Sequence, residues 1–226
     1  DDYFVDGFYD IVKRYFNSNY DVVFFKPTSI EVDTGNISDR HVRFVERIDD
    51  YSNLRDRESE LMLRYRIAVP WSKLIKRSVI VENNIVFENV ISSNDVMFST
   101  KLGCYIENFD VSDDIIYCVT RSSGSLTTSL KDEVFDTRVE VFVRYYHFLK
   151  RHLSEEDFNS LDLTGQGFIY YSIKYGYRKL YNVFRTFRKN NIRIINTKML
   201  NPVWFFKRVA YVNSHHQKTK RFYEKN

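Results

Sequence analysis

Two places in the chain combine residue types that can move a proton or hold an anion. The first is Ser93-Asn94-Asp95, which precedes Val96, Phe98 and Leu102. Ser93 reads as an N-cap, so Asp95 falls in the first turn of a helix, where the macrodipole favours its charged form. A carboxylate held charged at a helix mouth can accept a proton as a general base. The same Asn-Asp pair also serves simply to start a helix. The second place is Arg121-Ser122-Ser123-Gly124-Ser125-Leu126-Thr127. An arginine and small hydroxyls around a glycine can grip a phosphate as a loop closes; they also suit a strand-to-helix turn with Ser129 capping the next helix. His41, between Arg40 and Arg43, reads as a solvated loop histidine. His215-His216 has no third metal ligand near it in sequence.

The elements that must hold these residues come from periodicity. Phe8, Ile11, Val12, Tyr15 and Phe16 share one helical face, and Asp21 to Phe25 is a short apolar run that reads as a strand ending before Pro27. Residues 28–50 are mostly polar and read as a surface excursion. Arg55 to Arg66 reads as a half-exposed helix carrying Leu61, Met62 and Tyr65 inward. Trp71 to Arg77 is an extended segment turning into a helix that ends at Asn83-Asn84, and Ile85-Val86-Phe87 re-enters the core. Cys104 to Phe109 and Ile115 to Thr120 are strand candidates, and their two cysteines are expected as buried, reduced thiols on neighbouring strands. From Lys131 the pattern becomes helical, with starts expected near Ser154 and further stretches at 168–189 and 203–212.

Around Asp95 lies an ordered string: Trp71-Ser72-Lys73-Leu74-Ile75-Lys76-Arg77, then Asn83 to Phe87, then Asn94-Asp95-Val96-Met97-Phe98. It resembles the second half of the GT-A inverting sugar-nucleotide glycosyltransferases that build bacterial capsules and lipopolysaccharides. The family usually has Glu where this chain has Asn94, and the acid at Asp95 is retained. The resemblance implies Asp95 as catalytic base and Trp71, Lys73, Asn94 and Arg121 as substrate-binding residues. The opening Asp1-Asp2-Tyr3-Phe4 is similar to the end of the family's Asp-Ser-Asp-Asp-x-Phe segment, which implies Asp1 and Asp2 as ligands of a divalent metal, Mn or Mg, on the donor diphosphate. By the same resemblance the strands that grip the nucleotide are absent from this sequence, so the chain is expected to be a fragment, inactive alone.

The fold class expected is therefore α/β: residues 1–130 as the later, acceptor-side part of a GT-A (Rossmann-like) mixed sheet, and residues 131–226 as a basic, aromatic-rich α-helical extension. The charge is uneven. From Arg138 onward there are 18 Lys/Arg against 6 Asp/Glu, and the remainder, 16 against 24, is net acidic. Interleaved aromatic and basic residues between 168 and 189 suit a core face with a solvated basic face, a helix on an anionic membrane, or, least, nucleic-acid binding. Two function classes follow. One is an enzyme part that transfers a sugar from a nucleotide-sugar donor to a hydroxyl of a glycan or lipid-linked acceptor, with no nucleic-acid partner. The other is a non-catalytic module whose basic helices bind nucleic acid or a partner protein. No apolar run of about eighteen residues occurs, so no membrane-spanning segment is expected. The location expected is cytoplasmic, with peripheral contact at the inner membrane face.

Overall fold

The computed structural model describes residues 2–122 and 131–195, together with Val203. The chain divides into two compact units, Asp1–Ser129 and Leu130–Lys225.

The first unit is α/β. Its strands are β1 (Tyr3–Phe4), β2 (Val22–Glu31), β3 (Lys73–Ile75) and β4 (Phe109–Arg121). They form one mixed sheet in the order β1-β4-β2-β3, with the long central pair β2 and β4 parallel and both short edge strands antiparallel to their neighbours. The run Val22-Val23-Phe24-Phe25 is buried throughout, as a strand covered on both faces must be. Its alternate residues serve different layers. Val22 and Phe24 pack with Ile48, Leu63, Leu102 and Ile106, whereas Val23 and Phe25 pack with Val12 and Ile116. The first layer is built by α2 (Val42–Leu54), α3 (Arg57–Arg66), α4 (Arg77–Glu82) and α5 (Asn94–Tyr105), and the second by α1 (Phe8–Lys13). The carboxylate of Asp21 fixes the entry of the central pair: it accepts the backbone amides of Glu107 (2.9 Å) and Asn108 (3.1 Å), and its own carbonyl accepts from the Lys76 amide (2.8 Å).

Four sequence expectations change. The strand at Val22 does not stop before Pro27 but runs to Glu31, because the register of β2 on β4 shifts on either side of Lys26 and the missing proline donor falls where the ladder is already interrupted. The polar stretch 28–50 holds the end of β2 and most of α2, which buries Ile48 and turns Phe44 and Tyr51 toward the same core. Cys104-Tyr105 closes α5 instead of opening a strand, so the two free cysteines do not lie on neighbouring strands. Ile85 enters the core, but Val86 and Phe87 are exposed. Phe87 instead stacks on Phe98, with ring centroids 4.2 Å apart.

The second unit is helical over its described residues: α6 (Asp132–His152), α7 (Glu155–Ser160), α8 (Gln166–Ser172), a 3-10 turn (Ile173–Tyr175) and α9 (Tyr177–Lys189). Ser154 starts α7 as its spacing predicts, its hydroxyl accepting the Asp157 amide at 3.1 Å. The stretch 168–189 is not one helix, because Gly176 takes φ 90° and breaks it. Phe187, wholly buried, packs against Phe142 and Phe168. Gly165 makes room for that ring: a Cβ there would come within 2.4 Å of it. No described helix is long and apolar enough to cross a membrane. The expected helix at 203–212, apart from Val203, and the pair His215-His216 lie outside the described residues.

Candidate functional site

α5 positions Asp95. Ser93 occupies the N-cap position, but with φ 61° and without a side-chain capping bond, so the helix start rests on the backbone fold of the preceding loop. Asn94, exposed, contributes to that fold through its carbonyl, which accepts the Glu88 amide at 3.2 Å. Asp95 follows in the first turn, half-buried. Burial raises its pKa above the ordinary carboxylate range, and the amides of Asp95 and Val96 and the charge of Lys73 oppose that rise. The result is a carboxylate that is more basic than a solvated aspartate and still faces a cation.

β3 positions Lys73. Its ammonium donates to the carbonyl of Ile67 at 3.0 Å and to that of Val69, and it stands 5.3 Å from the centroid of the Phe24 ring. Burial lowers its pKa to about 7, with the field of Asp95 pulling the other way. Part of the side chain still reaches the surface, and two charge-assisted bonds to carbonyls favour the protonated form. Lys73 and Asp95 are thus an interacting pair in which each holds the other nearer its charged state.

From Lys73 a run of side chains leads along the sheet to the start of the chain. Trp71 lies parallel to Tyr117, with ring centroids 6.0 Å apart and planes at 2°, and Phe44 meets it edge-on at 4.6 Å. A small cleft is lined by Pro27, Phe44, Trp71, Ser72 and Lys73, among others. The Tyr117 hydroxyl donates to Asp2 at 3.3 Å, and burial, with the Asp2 carboxylate beside it, pushes its pKa up to about 12. The other Asp2 oxygen accepts the amide (2.8 Å) and hydroxyl (3.0 Å) of Thr120. Asp2, Trp71 and Tyr117 are therefore in one chain of contacts, and Lys73, two residues after Trp71, feels the charge of Asp95.

Arg121, which follows Thr120 at the end of β4, reaches Asp39 at 3.1 Å. Asp1 and the residues 123–130 that follow Arg121 are outside the described set, so the first metal ligand expected from sequence and the loop hydroxyls are not placed. As for a metal, the carboxylate of Asp2 already takes three hydrogen bonds, and no group of three or more His, Cys, Asp or Glu among the described residues is arranged to hold an ion. The described residues do not by themselves fit a divalent cation.

His41 is not a solvated loop residue. It sits half-buried at the start of α2, with Nδ1 2.8 Å from the Ser29 hydroxyl, and burial lowers its pKa. Ser38 donates to the same Ser29 oxygen at 2.8 Å. The trio superficially suits nucleophilic catalysis, but Ser29 and Ser38 are fully buried, so no substrate carbonyl can reach them and the cluster ties β2 to α2. Sequence reasoning missed Tyr117, which links Asp2 to Trp71; its place in an alternating strand gave no sign of that role. No protein-family model matches this chain, and no curated protein is similar enough in sequence to match it.

Proposed function

We propose that the chain is the acceptor-side part of an inverting GT-A-type glycosyltransferase, moving a sugar from a nucleotide donor to a hydroxyl of a glycan or lipid-linked acceptor. The observation that carries this reading is the place of Asp95, half-buried in the first turn of α5 where the charge of Lys73 acts on it. Both belong to the ordered string that resembles the family, yet 22 positions separate them in the chain. A half-buried carboxylate in the first turn of a helix has the basicity and the partial access that a general base needs. In this reading Asp95 takes the proton of the acceptor hydroxyl as that oxygen attacks the anomeric carbon, the glycosidic bond forms on the opposite face, and the nucleoside diphosphate leaves. Trp71 and Lys73 line the acceptor side, Asn94 supports the turn that aims Asp95, and Arg121 attends the departing phosphate.

Asp95→Asn tests the assignment. In the enzyme that includes its donor-binding segment, it keeps the shape of the side chain and removes the base, so transfer falls by about a hundred- to ten-thousand-fold. Donor affinity stays close to wild type. Normal turnover in that variant removes the catalytic role of Asp95. The 226-residue chain alone should bind UDP- and GDP-sugars only feebly by calorimetric titration, and micromolar affinity would place the nucleotide grip within it.

A further inference from the structure

Between Leu163 and Tyr223 the sequence carries 13 Lys/Arg and no Asp or Glu. The described part of this run shows where such an imbalance leads. At 3.6 residues per turn, Tyr177, Tyr181, Arg185 and Arg188 form one stripe along α9, with Arg178 and Lys189 beside it. All six are exposed. The opposite side holds the buried Val183 and Phe187. Lys179, also on that side, is drawn to α6, reaching Asp136 at 2.7 Å and Asp132 at 3.3 Å. The fold thus neutralises the inward cation, whereas Arg178, Arg185, Arg188 and Lys189 make no ion pair among the described residues.

Aromatic groups on this stripe and on the neighbouring α8 are exposed as well. Tyr177 is 89% exposed, Tyr181 63% and Tyr170 67%. Ile173, in the 3-10 turn that packs against α9, is 56% exposed. Single exposed tyrosines need no explanation, but a set interleaved with four unpaired cations, in a stretch of 61 residues without one acid, does. Tyrosine suits the headgroup layer of a bilayer, where its ring meets the acyl boundary and its hydroxyl stays wet; arginine and lysine stems lie along apolar surface while their charges reach phosphate. An exposed aliphatic such as Ile173 gains by entering that layer and gains nothing from stacking on a nucleobase.

We propose that the outer face made by the end of α8, the 3-10 turn and α9 binds the surface of an anionic phospholipid bilayer. Arg178, Arg185, Arg188 and Lys189 meet the lipid phosphates, and Tyr177, Tyr181 and Ile173 enter the headgroup layer. This assignment stands independently of the catalytic reading, because it uses only the helical unit.

Co-sedimentation of the purified chain with vesicles tests it. The chain should bind phosphatidylcholine vesicles containing phosphatidylglycerol, bind pure phosphatidylcholine weakly or not at all, and be released by salt. Each cation near such a surface is worth roughly fivefold in partitioning, so Arg185→Gln with Arg188→Gln should lower binding by roughly 25-fold. Tyr177→Ser with Tyr181→Ser should also lower it, while leaving the salt dependence as in wild type. Circular dichroism should be unchanged in both variants, since all four side chains are exposed. Equal binding to neutral and anionic vesicles, or to neither, overturns the proposal. Anionic binding that the arginine variant leaves intact also overturns it, since the contact is then elsewhere in the chain. Salt-sensitive capture of single-stranded RNA without vesicle binding assigns the face to nucleic acid instead.

Discussion

Asp95 and Lys73 are the residues on which the proposed chemistry depends, and their coupling gives two tests with opposite signs. Lys73 lowers the pKa that burial has raised in Asp95. In the complete enzyme, Lys73→Met should therefore move the rising limb of the pH–rate profile to higher pH. Lys73→Arg, which keeps the charge, should move it less. An unmoved limb in Lys73→Met would show that the two groups do not interact. The second test concerns stability. The folded chain releases the Lys73 proton near pH 7, whereas the unfolded chain holds it to near the ordinary 10.5. Between those values the unfolded state binds more protons, so this residue makes stability rise with pH from about 7 to about 10.5; the gain is lost as pH falls across that same window and the contribution is flat below about 7. Urea denaturation at stepped pH should show a shallower rise in Lys73→Met than in wild type; identical slopes would place the ammonium in a solvated setting.

At the scale of elements, α5, which carries Asp95, packs closely on α3. Gly103 makes that approach possible. A Cβ there would stand 2.7 Å from the carbonyl oxygen of Arg64 and 3.0 Å from the Tyr65 ring, and the Gly103 carbonyl accepts from the Tyr65 hydroxyl at 3.2 Å. Gly103→Ala should gain up to about 1 kcal/mol in helix propensity and lose about 1–3 kcal/mol to overpacking, a net destabilisation measurable by thermal denaturation. Gly167→Ala in α8, where a Cβ would meet nothing within 4 Å, is the control and should be neutral or stabilising. The elements themselves were unevenly legible. β2 and α3 show in the sequence because unbroken apolar runs or spaced leucines mark them. α2 does not, since Phe44, Ile48 and Tyr51 are diluted by Arg43, Glu46, Arg47, Asp49 and Asp50. The end of α5 reads as a strand because Tyr and Ile are strand formers, whereas in the structure Cys104 and Tyr105 complete a helix whose Gly103 packs on Tyr65. Asp95 stands out in the sequence through the ordered string around it that resembles the family, since spacing alone marks only a helix start, whereas the contact of Asp2 with Tyr117 emerges only from the register of β1 on β4.

The whole molecule is two units, each with its own buried core. Sheet and helices share the first, around Phe25, Leu63 and Leu102; helices alone form the second, around Leu149, Leu161 and Phe187. Phe187→Ala should cost about 3–5 kcal/mol where it sits. Hydrogen exchange should then show the amides of α6 and α9 losing protection while those of β2 and β4 keep theirs; equal loss in both would mean that they unfold as one. The parallel stack of Trp71 on Tyr117 supplies an optical handle on the same division. The chain has two tryptophans, Trp71 and Trp204, so Trp204→Phe leaves a single emitter, lying against a tyrosine that can pass excitation energy to it. Its emission reports the sheet unit alone, while the far-ultraviolet dichroism draws on helices of both units, so an emission change that does not coincide with the dichroism change shows, without any label, that the two melt separately.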